Sequence, residues 1–137
     1  MANYESVTRS NYFHVKNEDA FSKFMDTVSG DDMHCWSDKD EDGNTVYAFG
    51  CYGSIYGVPN GDENNDFDLF LSKLQKHIAP EDAVILMESG HEKIRYVTGY
   101  ATIITSCKIE TISITDLGMA KAKEILKNQE YRTKLDY

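Results

Sequence analysis

The chain has 137 residues, and a polypeptide of this length is expected to form one domain, here spanning residues 1–137. Hydrophobic residues make up 41% and aromatic residues 12% of the chain, which is typical of a globular protein and excludes a disordered one. The net charge of −9 disfavours direct binding to nucleic acid or to an anionic membrane surface, because both need basic patches.

The first half of the chain predicts a strand, a helix and a hairpin. Residues 7–16, VTRSNYFHVK, are rich in aromatic and β-branched residues, which is typical of a strand. Asn17 and the acids after it indicate the start of a helix that Ser29-Gly30 closes. Strands are predicted at 34–37 and 45–52, around a turn that contains Asp42-Gly43. Residues 57–65, GVPNGDENN, have the composition of an exposed loop.

The second half predicts a helix, three strands and a last helix. Asp66 opens a helix that Pro80 ends, and the apolar run AVILME then predicts a strand buried on both faces. SGHEK is predicted to form a turn that leads into the strand IRYVTGYATIITS, and KIETISI is predicted to form a further strand. Thr115-Asp116 is expected to cap a last helix whose apolar face includes Leu117, Met119, Ala122, Ile125 and Leu126.

This order, β-α-β-β-α-β-β-β-α, predicts the α+β class: a mostly antiparallel sheet of about five to six strands with three helices on one face. Three cysteines without CxxC spacing, Cys35, Cys51 and Cys107, are expected to be buried and reduced. The N-terminus lacks a signal-peptide pattern, and no apolar stretch is long enough to span a bilayer. These features predict a cytoplasmic protein.

No motif predicts a metal site, a cofactor or a catalytic centre. Asp38, Asp40 and Asp42 match the first half of a calcium loop, but Phe49 stands at the twelfth position, so a solvated hairpin turn is the better interpretation. Glu88 and Arg95 are expected to pair across a hairpin as a structural contact. No nucleophile, base and orienting group can be named together, so a non-enzymatic protein is expected.

The whole net charge lies in one segment. Between Asp31 and Asp68 ten acids stand against one base, Lys39, which accounts for the entire −9. Such a run is often only a solvated surface, but clustered acids also steer basic partners and imitate DNA, and tyrosines are common interface anchors. The second interpretation predicts a basic, nucleic-acid-binding protein partner and these partner-binding residues: Asp38, Asp40, Glu41, Asp42, Tyr47, Tyr52, Tyr56, Asp62, Glu63, Asp66 and Asp68.

A small-ligand module, such as one that sequesters a nucleotide signal, is the alternative. A pocket between sheet and helices would favour it, whereas a flat sheet face would not. A structural or dimerisation role also stays open, and the oligomeric state is not predicted. The ligand-binding residues of this alternative are Gly50, Tyr52, Gly53, His91 and Arg95.

Four segments carry a resemblance that covers nearly the whole chain: NYFHVKNEDAF, FGCYGSI, MESGHEKIRYVTGYATIITS and the closing KLDY. They resemble a family of hypothetical proteins carried by conjugative elements and prophages of Firmicutes. The resemblance implies no activity and no catalytic residue. Cargo of such elements is often anti-defence, so the resemblance implies an inhibitor of a host nucleic-acid-binding protein, of the anti-CRISPR or anti-restriction type.

Overall fold

The computed structural model describes residues 4–61 and 64–135, and within them the chain forms nine strands and three helices. The helices are α1 (Glu18–Met25), α2 (Phe67–Gln75) and α3 (Ile114–Leu126). The strands are β1 (Glu5–Ser10), β2 (Ser29–Gly30), β3 (Met33–Lys39), β4 (Thr45–Cys51), β5 (Ile55–Pro59), β6 (Asn65–Asp66), β7 (Val84–Glu92), β8 (Tyr96–Ile104) and β9 (Ile109–Ser113).

Six strands form one antiparallel sheet in the order β3-β4-β1-β7-β8-β9. The strands β2, β5 and β6 form a small second sheet. The predicted α+β class, the three helices and the order of the main elements are therefore confirmed. The small sheet is an addition that the sequence did not indicate, because two of its strands have only two residues each.

The hydrophobic core covers one face of the large sheet, which we call the inner face. Val84 and Leu86 of β7 point into it and are buried, whereas Ile85 and Met87 point to the opposite, open face and are exposed. The prediction that AVILME is buried on both faces is wrong, because the core packs against only one side of this strand. The fully buried aromatic centre of the core consists of Phe13, Phe21, Phe49 and Phe70.

Local capping chemistry sets the helix starts. The Asn17 side chain accepts a hydrogen bond from the backbone N–H of Ala20, and Asp66 accepts one from that of Leu69, so both predicted starts are confirmed. The third helix begins one residue after Ser113, whose hydroxyl accepts the N–H of Asp116. The prediction that Thr115-Asp116 caps this helix is therefore wrong by two residues.

Several predicted boundaries shift because long-range pairing decides them. The predicted strand 7–16 ends at Ser10, and the chain then contacts other elements through two isolated bridges at Phe13 and Val15. Helix α2 ends at Gln75, before Pro80. Gly57 and Val58, predicted in an exposed loop, are buried in β5. The strand β7 continues to Glu92, so the turn begins only at Lys93, the last residue of the predicted SGHEK.

Helix α3 differs most from its prediction. It has no buried residue, and Leu117, Ile125 and Leu126 are exposed, so the predicted apolar face does not join the core. Cys35 and Cys107 are likewise exposed, and only Cys51 is buried as predicted. Among the described residues, no helix combines the length and the apolar character that crossing a membrane requires.

Candidate functional site: an acidic hairpin tip and an inner cleft

The turn between β3 and β4 is a rigid hairpin end built around Asp40. One oxygen of its carboxylate accepts the backbone N–H groups of Asp42 at 2.9 Å and of Asn44 at 2.8 Å. Gly43 follows with φ +83, a left-handed conformation that glycine adopts without a steric cost. The turn is thus fixed by its own side chain, in the way that Asp residues commonly organise turns.

His14 ties this turn to the body of the protein. Its Nε2 lies 2.7 Å from Oδ2 of Asp40, and its Nδ1 lies 2.7 Å from Oδ2 of Asp82. The backbone N–H of His14 also donates to Asp82, at 2.8 Å. Because each ring nitrogen faces a carboxylate, the ring satisfies both only as the doubly protonated imidazolium.

The three groups stabilise one another's charged forms. The hydrogen bonds to Asp40 and then Asp82 raise the pKa of His14, and the bond from His14 is the main cause that lowers the pKa of Asp40. Burial alone would raise the pKa of Asp82, but the hydrogen bonds from the backbone and ring of His14 outweigh it and lower that pKa. All three groups are therefore charged at mildly acidic pH, and His14 keeps its proton to a higher pH than a free imidazole does.

Replacing His14 by glutamine is expected to remove a pH-dependent contribution to stability. A raised pKa in the folded state means that this contribution is complete below the unfolded pKa of about 6.5 and is lost as pH rises through the folded pKa of His14. The contributions of Asp40 and Asp82 to stability are lost at acid pH, as the pH falls through the lowered pKa values of these two carboxylates. The difference in free energy of unfolding between the native protein and the variant should be largest near pH 5–6.

Urea unfolding of both proteins between about pH 4 and pH 9 measures this difference. His77 titrates in the opposite direction, because burial lowers its pKa, but it is present in both proteins and cancels in the comparison. A difference that stays constant from mildly acidic to alkaline pH would show that His14 acts only by packing.

Other acids surround this cluster. Asp38, Glu41 and Asp42 are exposed on the hairpin end, while Glu18 and Asp19 at the start of α1 act on the nearby Tyr47 hydroxyl. We call the set Asp38, Asp40, Glu41, Asp42 and Asp82 the acidic tip. Sequence reasoning found its four hairpin members from the charge run but missed His14 and Asp82, which carry no motif.

The remaining predicted partner-binding residues lie elsewhere. Tyr47 faces inward against the ring of Phe21, at 5.1 Å, and burial raises the pKa of its hydroxyl. Tyr52 and Tyr56 are exposed at the other end of the β3–β4 ribbon, roughly 20 Å from the tip along a seven-residue strand. Tyr56 donates a hydrogen bond to Asp31 there.

The acids that follow β5 are only partly described. Asp66 is engaged as the cap of α2, and Asp68 is exposed in the first turn of that helix. Asp62 and Glu63 lie outside the described residues. The predicted residues therefore do not form one continuous surface. The hairpin acids lie together at the tip, whereas Tyr52, Tyr56, Asp66 and Asp68 belong to the region around the small sheet.

A cleft of about 340 Å³ opens on the inner face of the large sheet beside the start of α2. We call it the inner cleft. Its walls combine apolar side chains with one carboxylate, Glu88, which accepts a hydrogen bond from the Tyr4 hydroxyl at 2.8 Å. Thr102 and Thr111 hydrogen-bond each other at 3.2 Å within it. The lining residues are Thr8, Ile55, Phe67, Leu86, Glu88, Tyr100, Thr102 and Thr111.

The five residues predicted for ligand binding do not line the inner cleft. Tyr52 and Gly53 line a shallow hollow next to Asp31, whereas His91 lies in another, where its ring is 3.6 Å from Glu5. Gly50 lies directly against the backbone of β1.

Arg95 lies in the turn after β7, where its guanidinium stacks on the ring of Tyr96 at 5.3 Å. The predicted pair of Glu88 with Arg95 does not form either, because Tyr100 stands opposite Glu88 in the sheet register.

A comparison of the chain with protein-family models, with curated proteins and with solved structures finds no match.

Proposed function

We propose that this protein is a non-enzymatic binding protein whose acidic tip docks on a basic, nucleic-acid-binding protein. The observation that supports this most directly is the bonding of Asp40 to His14 and to its own turn, which holds the hairpin end in one geometry. Asp38, Glu41 and Asp42 are thereby presented to solvent from a fixed support. Binding a partner therefore costs less conformational entropy than it would for a mobile acidic loop, because the hairpin end is already ordered.

The charge arrangement suits a surface that ordinarily holds nucleic acid. Duplex DNA carries one negative charge per roughly 1.7 Å of its axis, so a groove that binds it is lined by Lys and Arg. Closely spaced carboxylates on the tip would meet those side chains and steer the encounter. The exposed Tyr52 and Tyr56, with Asp68 near them, would give a second contact about 20 Å away along the same ribbon.

The resemblance to mobile-element cargo extends this proposal to a target. An inhibitor carried by such an element would occupy the DNA or guide-RNA groove of a host defence nuclease, of the anti-CRISPR or anti-restriction type. The inhibition would need no catalytic residue, because occupancy of the groove is enough. It would weaken as salt rises, since exposed charges are screened over roughly 8 Å at physiological ionic strength.

Neutralising the tip is expected to slow association with such a nuclease roughly tenfold, because electrostatic steering sets the encounter rate. The variant is Asp38→Asn/Glu41→Gln/Asp42→Asn, which leaves Asp40 and its bonds to the turn in place. The matched control, Asp26→Asn/Glu92→Gln/Glu130→Gln, removes the same charge away from the tip. Binding is measured by surface plasmon resonance against purified restriction endonucleases and RNA-guided nucleases, with inhibition of DNA cleavage as the second readout.

Equal association rates for the tip variant and the control would remove the tip from the proposal. Failure of the native protein to bind or inhibit any nuclease in the panel would count against the target class itself. Where the native protein binds, competition by duplex DNA tests the groove itself, since DNA should displace a protein that occupies the same groove.

The inner cleft favours a second candidate, a small-ligand module. Its volume of about 340 Å³ lies at the lower end of the range for small-molecule sites, and it joins apolar walls to hydroxyl groups and a carboxylate. No Lys or Arg is among its lining residues within the described chain, and Glu88 would repel a phosphate. The cleft therefore suits a neutral or cationic ligand with hydroxyl or amine donors better than a nucleotide. Saturable binding of adenosine but not of adenosine monophosphate, unaffected by neutralising the tip, would favour this role.

A further inference from the structure

The open face of the large sheet is apolar over several strands. Side chains of β1, β7, β8 and β9 on this face are between 40% and 63% exposed. The strand register places them in adjacent rows, because paired residues of neighbouring strands point to the same side. They are Val7, Ile85, Met87, Val97 and Ile112. Trp36 faces the same side, but it lies on β3, the strand that leads to the acidic tip, and Arg9 stacks on its ring at 5.4 Å, so it is not part of this patch.

Helix α3 extends this apolar surface. Its first residue, Ile114, lies 3.1 Å from the position that a Cβ on Gly99 would take, and Leu117 lines a shallow hollow with Ala101 and Ile112. Ile114, Leu117 and Ile125 fall on one stripe of the helix and are 55–72% exposed. Gly118 lies on the same stripe with open space around it, so a second helix can approach closely there.

The exposed area matches what a stable dimer needs. Eight large apolar residues, about half exposed, amount to roughly 760 Å² if each has a total surface near 180 Å². The largest apolar patch of a typical monomer is about 300–600 Å², and a standard interface buries about 800 Å² on each partner. The eight are the five open-face residues with Ile114, Leu117 and Ile125.

The charges at the margin allow two copies to meet despite the net charge of −9. Glu110 pairs with Lys108 at 2.9 Å, and Glu5 lies 3.6 Å from the ring of His91. Helix α3 has an acid, Asp116, in its first turn and a base, Lys123, in its last. Lys121, which lies on the same stripe as Ile114 and Ile125, pairs with Glu124 of its own helix at 3.1 Å.

We infer that the open face and the apolar stripe of α3 form the interface of a two-fold homodimer. A two-fold dimer buries the same patch on both copies, and an apolar patch can pack against its own copy because it needs no opposite charge on the other side. The dimer leaves both acidic tips free, because they lie at the opposite edge of the sheet from β9 and α3. It is therefore independent of the proposed function.

Light scattering coupled to size exclusion tests this directly. The native protein should elute as a dimer of about 31 kDa, twice the chain mass of 15.6 kDa, at about 10 µM, since interfaces of this size bind at µM or tighter. Ile85→Glu/Met87→Glu should be monomeric. The matched control Ile94→Glu/Leu135→Glu, which changes exposed residues that belong to no strand of the sheet and not to α3, should stay dimeric. Circular dichroism should show all three folded, because none of the four residues is buried.

Two outcomes would overturn the inference. A native protein that remains a monomer overturns it and assigns the open face to a different partner. A dimer that Ile85→Glu/Met87→Glu leaves intact overturns it as well.

Discussion

Replacing Phe70 by alanine is expected to lower the free energy of unfolding by about 3–5 kcal/mol, the usual cost of removing a buried aromatic ring. Phe70 is fully buried on α2, where its ring stacks on Phe24 at 5.9 Å and meets the edge of Phe49 at 6.0 Å. These two contacts join both core helices to the centre of the large sheet. The surrounding rings are held by their own backbones, so the space left by Phe70 would stay largely empty.

Urea unfolding at one fixed protein concentration measures this loss, since the stability of a dimer depends on concentration. The control is Ile94→Ala, because Ile94 is 78% exposed and a surface substitution of this kind changes stability by less than about 0.5 kcal/mol. A loss below about 1 kcal/mol for Phe70→Ala would show that α2 is not anchored to the sheet as described.

Local chemistry explains what the sequence predicted well. Asn17 and Asp66 begin helices because their short polar side chains accept a backbone N–H three residues ahead, which requires no knowledge of the rest of the chain. The hairpin around Asp40 and Gly43 is local in the same sense. The acidic run also located four members of the acidic tip, because charge can be counted along a sequence.

The failures concern contacts between distant parts of the chain. His14 is 26 residues from Asp40 and 68 residues from Asp82, so no local pattern indicates that the three side chains meet. Whether the second face of AVILME is covered depends on where α3 lies, and α3 turns away from the core. An apolar run indicates that a segment is buried on at least one face, but it does not indicate which element covers each face. The open face could therefore not be predicted from the sequence.

The orientation of Tyr47 was within reach of sequence reasoning. It stands two residues from Phe49 on the same strand, and alternate residues of a strand share a face. Phe49 is fully buried, so Tyr47 points toward the core side and its ring packs on Phe21 instead of facing a partner.

Replacing Gly57 by alanine is expected to cost roughly 2–6 kcal/mol, the sum of backbone strain and overpacking. Gly57 has φ +122, and a Cβ on it would lie 2.3 Å from the backbone oxygen of Asp66 and 2.6 Å from the nitrogen of Phe67. These are backbone atoms at the start of α2 and cannot rotate away. The substitution should therefore push the capped start of α2 away from β5. Phe67, which lines the inner cleft, should move with it.

Gly43→Ala is the matched control, because Gly43 also has a positive φ, +83, but has nothing within 4 Å of the new Cβ. Its loss should be only about 1–2 kcal/mol, the cost of the left-handed backbone alone. Urea unfolding compares the two variants, and amide chemical shifts of Phe67 and Leu69 report whether the helix start moves. Similar losses of unfolding free energy for Gly57→Ala and Gly43→Ala would mean that the start of α2 moves aside without destabilising the protein. The inner cleft would then not be held in a fixed shape on the side of α2.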